Sequence, residues 1–174
     1  YKENCIKKYP NGFYGKNKLK IEKDVKKIIN KNYLIIRIPT LLIFDVSKRN
    51  LFISRILFNL KKLGKINFDI KSDTFKDFIT IEYFSFFLDK LIKKRAKGTY
   101  NLSFGKPVLV KQVANNIISG FGKGLVKYTR NNKVKKNQSF VLNNKKIKQK
   151  INFSVSKKYI LKYCRKLGKS LNYE

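Results

Sequence analysis

The apolar positions along the chain change period several times. From Tyr14 to about Asn30, Leu19, Ile21, Val25, Ile28 and Ile29 recur every three or four residues with lysines between them. That spacing predicts an amphipathic helix, stopped by the Asn30–Asn32 stretch. A turn cluster, Pro10-Asn11-Gly12, precedes it. "YLIIRI" (33–38) is then a continuous apolar run rich in β-branched residues, as expected of a strand buried on both faces in a parallel sheet; Pro39 ends it. Helical period returns over Leu51–Leu63, closed by Gly64, and over Glu82–Lys94, with "FITI" (78–81) as a strand between them. "TYNLSF" (99–104) reads as a strand and Gly105-Lys106-Pro107 as a turn. Val110–Phe121 is a helix, and "VSKKYILKYCRKLG" (155–168) is a last one, with Ser154 or Ser156 as its cap. Residues 122–150 are polar and poorly periodic, with a strand expected at Ser139–Leu142. Helices and strands alternate, which predicts an α/β fold.

Composition adds three constraints. Of 174 residues, 43% are hydrophobic and 14% aromatic, enough for a packed core in spite of the charge. With no histidine, the chain holds no Ser-His triad and no imidazole ligand for zinc. Cys5 and Cys164 lie far apart with no metal-ligand or CxxC spacing, so free thiols in a reducing cytoplasm are expected. No apolar run reaches the roughly 20 residues of a membrane helix, and no signal peptide is read at the N-terminus. The chain starts at Tyr1 and contains no methionine, which reads as a processed or partial chain.

The formal charge of +32 has two readings. One is a basic nucleic-acid-binding protein that interleaves Lys with Phe and Tyr as a phosphate and stacking surface. The other is an AT-rich coding bias, since Lys, Asn and Ile are all abundant. The lysines are spread along the chain, whereas a nucleic-acid surface needs them gathered on one face.

Candidate chemistry lies at the start of the first helix. Tyr14 and Lys18 in "FYGKNKLKIE" are four apart and share a helix face. An ammonium beside a phenol favours the phenolate and lowers its pKa from about 10, which suits a general acid/base near neutrality. A chain with this much lysine and ten tyrosines supplies a YxxxK pair by chance. The weight therefore rests on what surrounds the pair.

Four stretches in order carry a resemblance. "YGKNKLKIE" (14–22) resembles YGxSKLxxE, "IIRIPTLLIF" (35–44) resembles LRxPxxxG, "KDFITIEY" (76–83) resembles RDFxxVxD, and "GTYNLSFGKPVLVKQVA" (98–114) resembles GxYNxGxGxxxSxxELA. These are elements of the extended short-chain dehydrogenase/reductase family, the NAD-dependent sugar-nucleotide epimerases, dehydratases and reductases. The resemblance covers about residues 1–121 well and the remainder weakly. Asn17 stands where the family often has serine, and Lys76 where it usually has arginine, which forfeits the bidentate fork. The glycine expected near Phe44–Asp45 is missing. No GxxGxxG is present, so the pyrophosphate-cradling turn is absent from this chain. Tyr1 resembles the tyrosine of the family's VYG segment, and the family's catalytic Ser/Thr lies shortly before it.

The resemblance implies the C-terminal part of a Rossmann-like parallel-sheet domain plus a small α/β substrate-binding lobe. Residues 1–44 would be the remnant of the NAD(P)-binding domain and 45–174 mainly the lobe. Tyr14 would be the general acid/base and Lys18 its partner on the nicotinamide ribose, with Pro39, Thr40 and Leu41 beside the nicotinamide of NAD or NADP. Lys76 and Arg37 would meet a nucleotide-sugar substrate. For Arg37 an inward pairing with Glu22 or Asp77 is an equal alternative. The family implies a homodimer through the YxxxK helix, and a strand at 33–38 with an unpaired edge when the first half is missing. Asp77 is read as ordering its loop, Glu82 as starting a helix, and the "YFSFF" cluster (83–87) as core.

Overall fold

The computed structural model describes residues 1–3, 12–47, 51–128 and 138–174. Cys5 and most of the Pro10-Asn11-Gly12 turn lie outside the described residues. Helix α1 (Phe13–Ile29) leads into strand β1 (Leu34–Arg37) and the short β2 (Thr40–Leu42). Helix α2 (Phe52–Leu63), β3 (Lys65–Phe68), β4 (Phe75–Lys76), β5 (Phe78–Thr80) and α3 (Ile81–Lys93) follow. The chain continues through β6 (Gly98–Asn101), β7 (Val108–Leu109), α4 (Val110–Phe121) and β8 (Leu125–Tyr128). It ends in α5 (Lys145–Lys150), α6 (Lys157–Ser170) and a 3-10 turn.

The strands form four two-stranded ladders. Three are parallel: β1 with β6, β2 with β5 and β3 with β8. Parallel neighbours require helical crossovers, which α2, α3 and α4 provide. Among the described residues, β4 and β7 form the one antiparallel pair. In the first ladder Leu34 faces Gly98 and Arg37 faces Asn101, so β1 is completed by a strand more than sixty residues away.

Local chemistry accounts for the helix ends. Thr80 and Ser156 accept from the backbone N–H three residues on, capping α3 and α6. The sequence offered Ser154 or Ser156 for the last helix, and Ser156 takes the place. Gly64 and Gly122 adopt the left-handed conformation that closes α2 and α4, as expected for Gly64. The core gathers Leu57, Leu60, Phe78, Ile79, Phe87, Leu91, Phe104, Val113 and Ile117, all essentially inaccessible. Tyr83 meets Phe104 and Tyr159 edge-on and Phe87 at a tilt, so the aromatic residues of the "YFSFF" cluster pack on this core, with Phe87 fully buried, Tyr83 and Phe84 half-buried, and Ser85 and Phe86 exposed.

Helices α4 and α6 pack with their backbones close together. A Cβ built on Gly168 would stand 1.9 Å from the Ile117 carbonyl oxygen, and one on Gly120 2.0 Å from the Arg165 oxygen. Cys164 is buried at this interface, and desolvation pushes its thiol up to about 12, as expected of an inert thiol.

Two expectations are corrected. No strand forms at 139–142: the segment runs extended beside β4, with the Phe140 N–H donating to the Phe75 carbonyl, but the ladder goes no further. The region 122–150, read as irregular apart from that strand, contains β8 and α5. Among the described residues no helix is long and apolar enough to cross a membrane.

Candidate active site

The candidate pair sits on α1, a helix that buries nothing. Tyr14 is 76% exposed, and Phe13, Ile21 and Ile28 are exposed at 82%, 53% and 80%. These three fall on one stripe of the helix. Among the described residues β1 pairs only with β6, so one edge of that strand is open, as the sequence led one to expect.

Side-chain contacts fix how α1 runs. The Lys26 ammonium lies 6.0 Å from the Tyr33 ring, just before β1. One turn earlier, Glu22 takes both a 2.8 Å and a 2.6 Å hydrogen bond from the Arg37 guanidinium at the end of β1. The helix therefore runs back along the strand. Lys18 and Tyr14, one and two turns beyond Glu22, extend past the carboxyl end of β1. In open parallel α/β sheets that end is where ligands bind. The Lys18 ammonium lies 5.6 Å from the Tyr14 ring centroid, in cation–π range.

The residues that follow β1 continue from the same end. Pro39 is buried; Thr40 and Leu41 open β2 opposite Phe78 and Ile79. The Thr40 backbone N–H donates to the Asp77 carbonyl. Arg37 is engaged: besides Glu22 it donates to the Glu3 carbonyl at 3.0 Å, and the Glu22 carboxylate holds its pKa above the usual guanidinium value. Of the two carboxylates offered as its inward partner, Glu22 is the one used.

Lys76 lies elsewhere, between two rings. Its ammonium is 5.7 Å from the Phe52 centroid and 5.2 Å from that of Phe140, and burial lowers its pKa. An open, mainly apolar cleft of about 730 Å³, lined by Tyr1, Phe75, Pro107, Ser139, Phe140 and Val141, shares the Phe140 ring with it, though Lys76 itself does not line the cleft. A half-desolvated cation beside an apolar cleft suits a ligand with an anion at one end and a flat apolar group at the other. Tyr14 and Lys18 do not line this cleft. Phe52 and Phe140 escaped the sequence reading: Phe52 looked like ordinary helix core, and Phe140 sits in a stretch without periodicity.

Asp77 was read as ordering its loop, and it does. Its carboxylate is fully buried and accepts from the Phe78 N–H at 2.9 Å and the Leu142 N–H at 3.1 Å. Desolvation pushes its pKa up from 3.8 to about 6 against the pull of those donors. Glu82 lies in the first turn of α3, as expected, and accepts from the Tyr163 hydroxyl at 2.9 Å. That contact and burial raise the Tyr163 pKa.

Parallel ladders with helical crossovers, and a tyrosine-lysine helix laid back along the first strand, make this a Rossmann-like α/β unit. Solved structures share it. MoeE5 in complex with UDP-glucuronic acid and NAD superposes with a TM-score of 0.78 at 15% identity, covering 100% of this chain and 60% of that one. UDP-N-acetylglucosamine 4-epimerase from Methanobrevibacter ruminantium M1, in complex with UDP-N-acetylmuramic acid, gives 0.71 at 12%, with the same two coverages. RMD from Pseudomonas aeruginosa complexed with NADPH gives 0.71 at 12%, covering 96% of this chain and 59% of that one. The chain thus spans about 60% of the length of these enzymes. No family model and no curated sequence matches it. The likeness establishes the fold, which is the one the YGKNKLKIE and GTYNLSF stretches implied.

Proposed function

We propose that this chain is the part of an NAD(P)-dependent sugar-nucleotide epimerase, dehydratase or reductase that carries the acid/base pair and the substrate lobe. The observation that supports it most is the path of α1. The Lys26–Tyr33 and Glu22–Arg37 contacts carry Tyr14 and Lys18 beyond the carboxyl end of a parallel strand, and Pro39, Thr40 and Leu41 begin there.

In this reading Tyr14 takes or returns the proton of a sugar hydroxyl. Lys18 stands beside the phenol on the same helix face and donates to ribose hydroxyls. The stretch Pro39–Leu41 offers mainly backbone to the nicotinamide. Bound nicotinamide supplies hydride acceptance and return. The residues present fit the nicotinamide-ribose end of NAD or NADP: an exposed ammonium and an exposed phenol share one helix face. The pyrophosphate end needs a glycine-rich turn, which this chain does not contain. Lys76 meets the diphosphate of a nucleotide sugar. Arg37, spent on Glu22 and Glu3, acts as a positioning residue that ties α1 to β1. The uncovered stripe of Phe13, Ile21 and Ile28 suits the helix pairing of a homodimer.

The test is calorimetric titration with NADH and with UDP-glucose at two salt concentrations, on the protein expressed from its own start codon. The expected result is saturable, salt-tolerant NADH binding that Lys18→Ala weakens. In Tyr14→Phe, binding is retained while turnover of the nucleotide sugar is lost. NADH binding indifferent to Lys18→Ala, or no NADH binding together with RNA binding of steep salt dependence, overturns the reading in favour of a basic nucleic-acid-binding protein.

A further inference from the structure

Asp77 spends more than loop ordering requires. A carboxylate with no accessible surface and, among the described residues, backbone N–H donors instead of a cation as its hydrogen-bond partners is an expensive way to fasten a turn. Its contacts reach three separate segments. The backbone carbonyl accepts from Thr40, the first residue of β2, just after the carboxyl end of β1. The carboxylate accepts from Leu142, in the extended segment 138–144. From the turn after β6, the Ser103 hydroxyl donates to the Leu142 carbonyl at 3.5 Å, and Ser103 and the Lys106 backbone N–H lie close enough to pull the Asp77 pKa down against its burial.

The segment 138–144 is what Asp77 secures. It belongs to no ladder or helix and is held by hydrogen bonds from several places: the Tyr1 ammonium donates to the Val141 carbonyl at 2.6 Å, the Asn143 N–H to the Tyr1 carbonyl at 2.8 Å and the Asn101 amide to the Asn143 carbonyl at 3.0 Å. Ser139 Oγ accepts from the Phe75 N–H at 3.1 Å, and the Phe140 N–H donates to the Phe75 carbonyl at 3.3 Å. Two of its bonds are charge-assisted, Leu142 to Asp77 and Val141 to the Tyr1 ammonium, and of these the Asp77 bond is the one whose charged partner adjoins Lys76 in the chain. This segment carries Phe140, one of the two rings on the Lys76 ammonium. Lys76 is also the residue before Asp77, so displacing Asp77 moves the lysine from both sides.

We propose that Asp77 is a positioning residue for the anion site at Lys76: by fastening Leu142 and receiving Thr40, it fixes the Phe140–Lys76–Phe52 stack and joins it to the start of β2, just after the carboxyl end of β1. The inference rests on the reading that Lys76 meets the diphosphate of a nucleotide sugar. It assigns Asp77 no contact with the ligand.

The experiment is a double-mutant cycle read by UDP-glucose affinity, a probe whose diphosphate diester keeps its charge through the working pH range. Lys76→Gln, Asp77→Ala and the double variant are titrated at pH 7.5. Lys76→Gln is expected to weaken binding about tenfold, and Asp77→Ala about tenfold in the native background. In the Lys76→Gln background Asp77→Ala is expected to cost less than about twofold, because the residue acts through the lysine. Equal losses in both backgrounds, or none in either, overturn the proposal and leave Lys76 in place. An affinity that ignores Lys76→Gln, or no saturable binding by the native protein, overturns the reading of Lys76 and the proposal with it. Should Asp77→Ala fail to fold, Asp77→Asn runs the same cycle, since it keeps the shape and one acceptor oxygen. Amide spectra supply an independent readout: the Leu142 and Phe78 N–H signals titrate with a midpoint near 6 in the native protein and stand still in Asp77→Asn. Signals that do not titrate in the native protein place Leu142 away from the carboxylate and overturn the proposal.

Discussion

Gly168→Ala tests the packing on which the C-terminal half depends. The new Cβ would lie 1.9 Å from the Ile117 carbonyl oxygen, 2.8 Å from its carbon and 3.0 Å from the Phe121 nitrogen. All three are backbone atoms of α4, so no side chain can swing aside. Reaching an ordinary contact of about 3.4 Å requires the two helices to part by roughly 1.5 Å. Around that point Val113, Ile117, Ile160, Cys164 and Leu167 are packed with almost no accessible surface, and a gap of that size forfeits much of their contact energy. Overpacking of this kind costs about 3 kcal/mol, whereas alanine in place of glycine within a helix returns about 1 kcal/mol. The expected net loss is about 2 kcal/mol, or roughly 5 °C in Tm for a chain of this size. Thermal and urea unfolding followed by circular dichroism measures it, with Lys169→Ala, an exposed neighbour, as the control that moves by less than about 0.5 kcal/mol. A Gly168→Ala protein as stable as the native one would refute the close approach of α4 and α6.

Other outcomes follow from the same geometry. Glu22→Gln removes the carboxylate that Arg37 grips with two hydrogen bonds; it is expected to cost about 1–2 kcal/mol and to speed hydrogen exchange along α1 while leaving α4 and α6 unchanged. Asp77 binds its proton more tightly in the folded protein than in the unfolded chain, so its contribution is most favourable below pH 4, falls as pH rises from 3.8 to about 6, and is level above that. That amounts to about 3 kcal/mol: the stability of Asp77→Asn relative to the native protein should improve by this much between pH 4 and pH 7, and a difference that does not vary with pH would contradict the burial of the carboxylate. Cys164, with its thiol raised to about 12, should resist Ellman's reagent at pH 8 in a Cys5→Ser background until urea unfolds the chain.

The elements that depend on local pattern were legible in the sequence. The five long amphipathic helices could be placed from their apolar spacing, with Gly64 closing one and Ser156 opening another, because caps and periodicity act within a few residues. The strand at 34–37 declared itself by its apolar, β-branched run, although it is half-buried rather than buried on both faces as that run suggests, and the short-chain dehydrogenase stretches pointed to the right fold. What escaped were pairings between distant segments. β3 and β8 are four-residue strands that alternate burial weakly, and each becomes a strand only against the other, some sixty residues away. The segment 138–144 has no pattern of its own and is held in place by Phe75, Asp77 and Tyr1.

The site divides along the same line. Tyr14 and Lys18 could be named from sequence because a helix brings positions four apart onto one face whatever else the chain does. Arg37 could not be assigned, since its choice between Glu22 and a ligand depends on how α1 lies against β1. Lys76 was named, but its lowered pKa and its place between Phe52 and Phe140 come from burial by residues 24 positions before it and 64 after it. Local covalent geometry and side-chain period are written in the sequence residue by residue. Desolvation and ion pairing arise only when remote segments meet, and the tertiary structure alone decides which ones do.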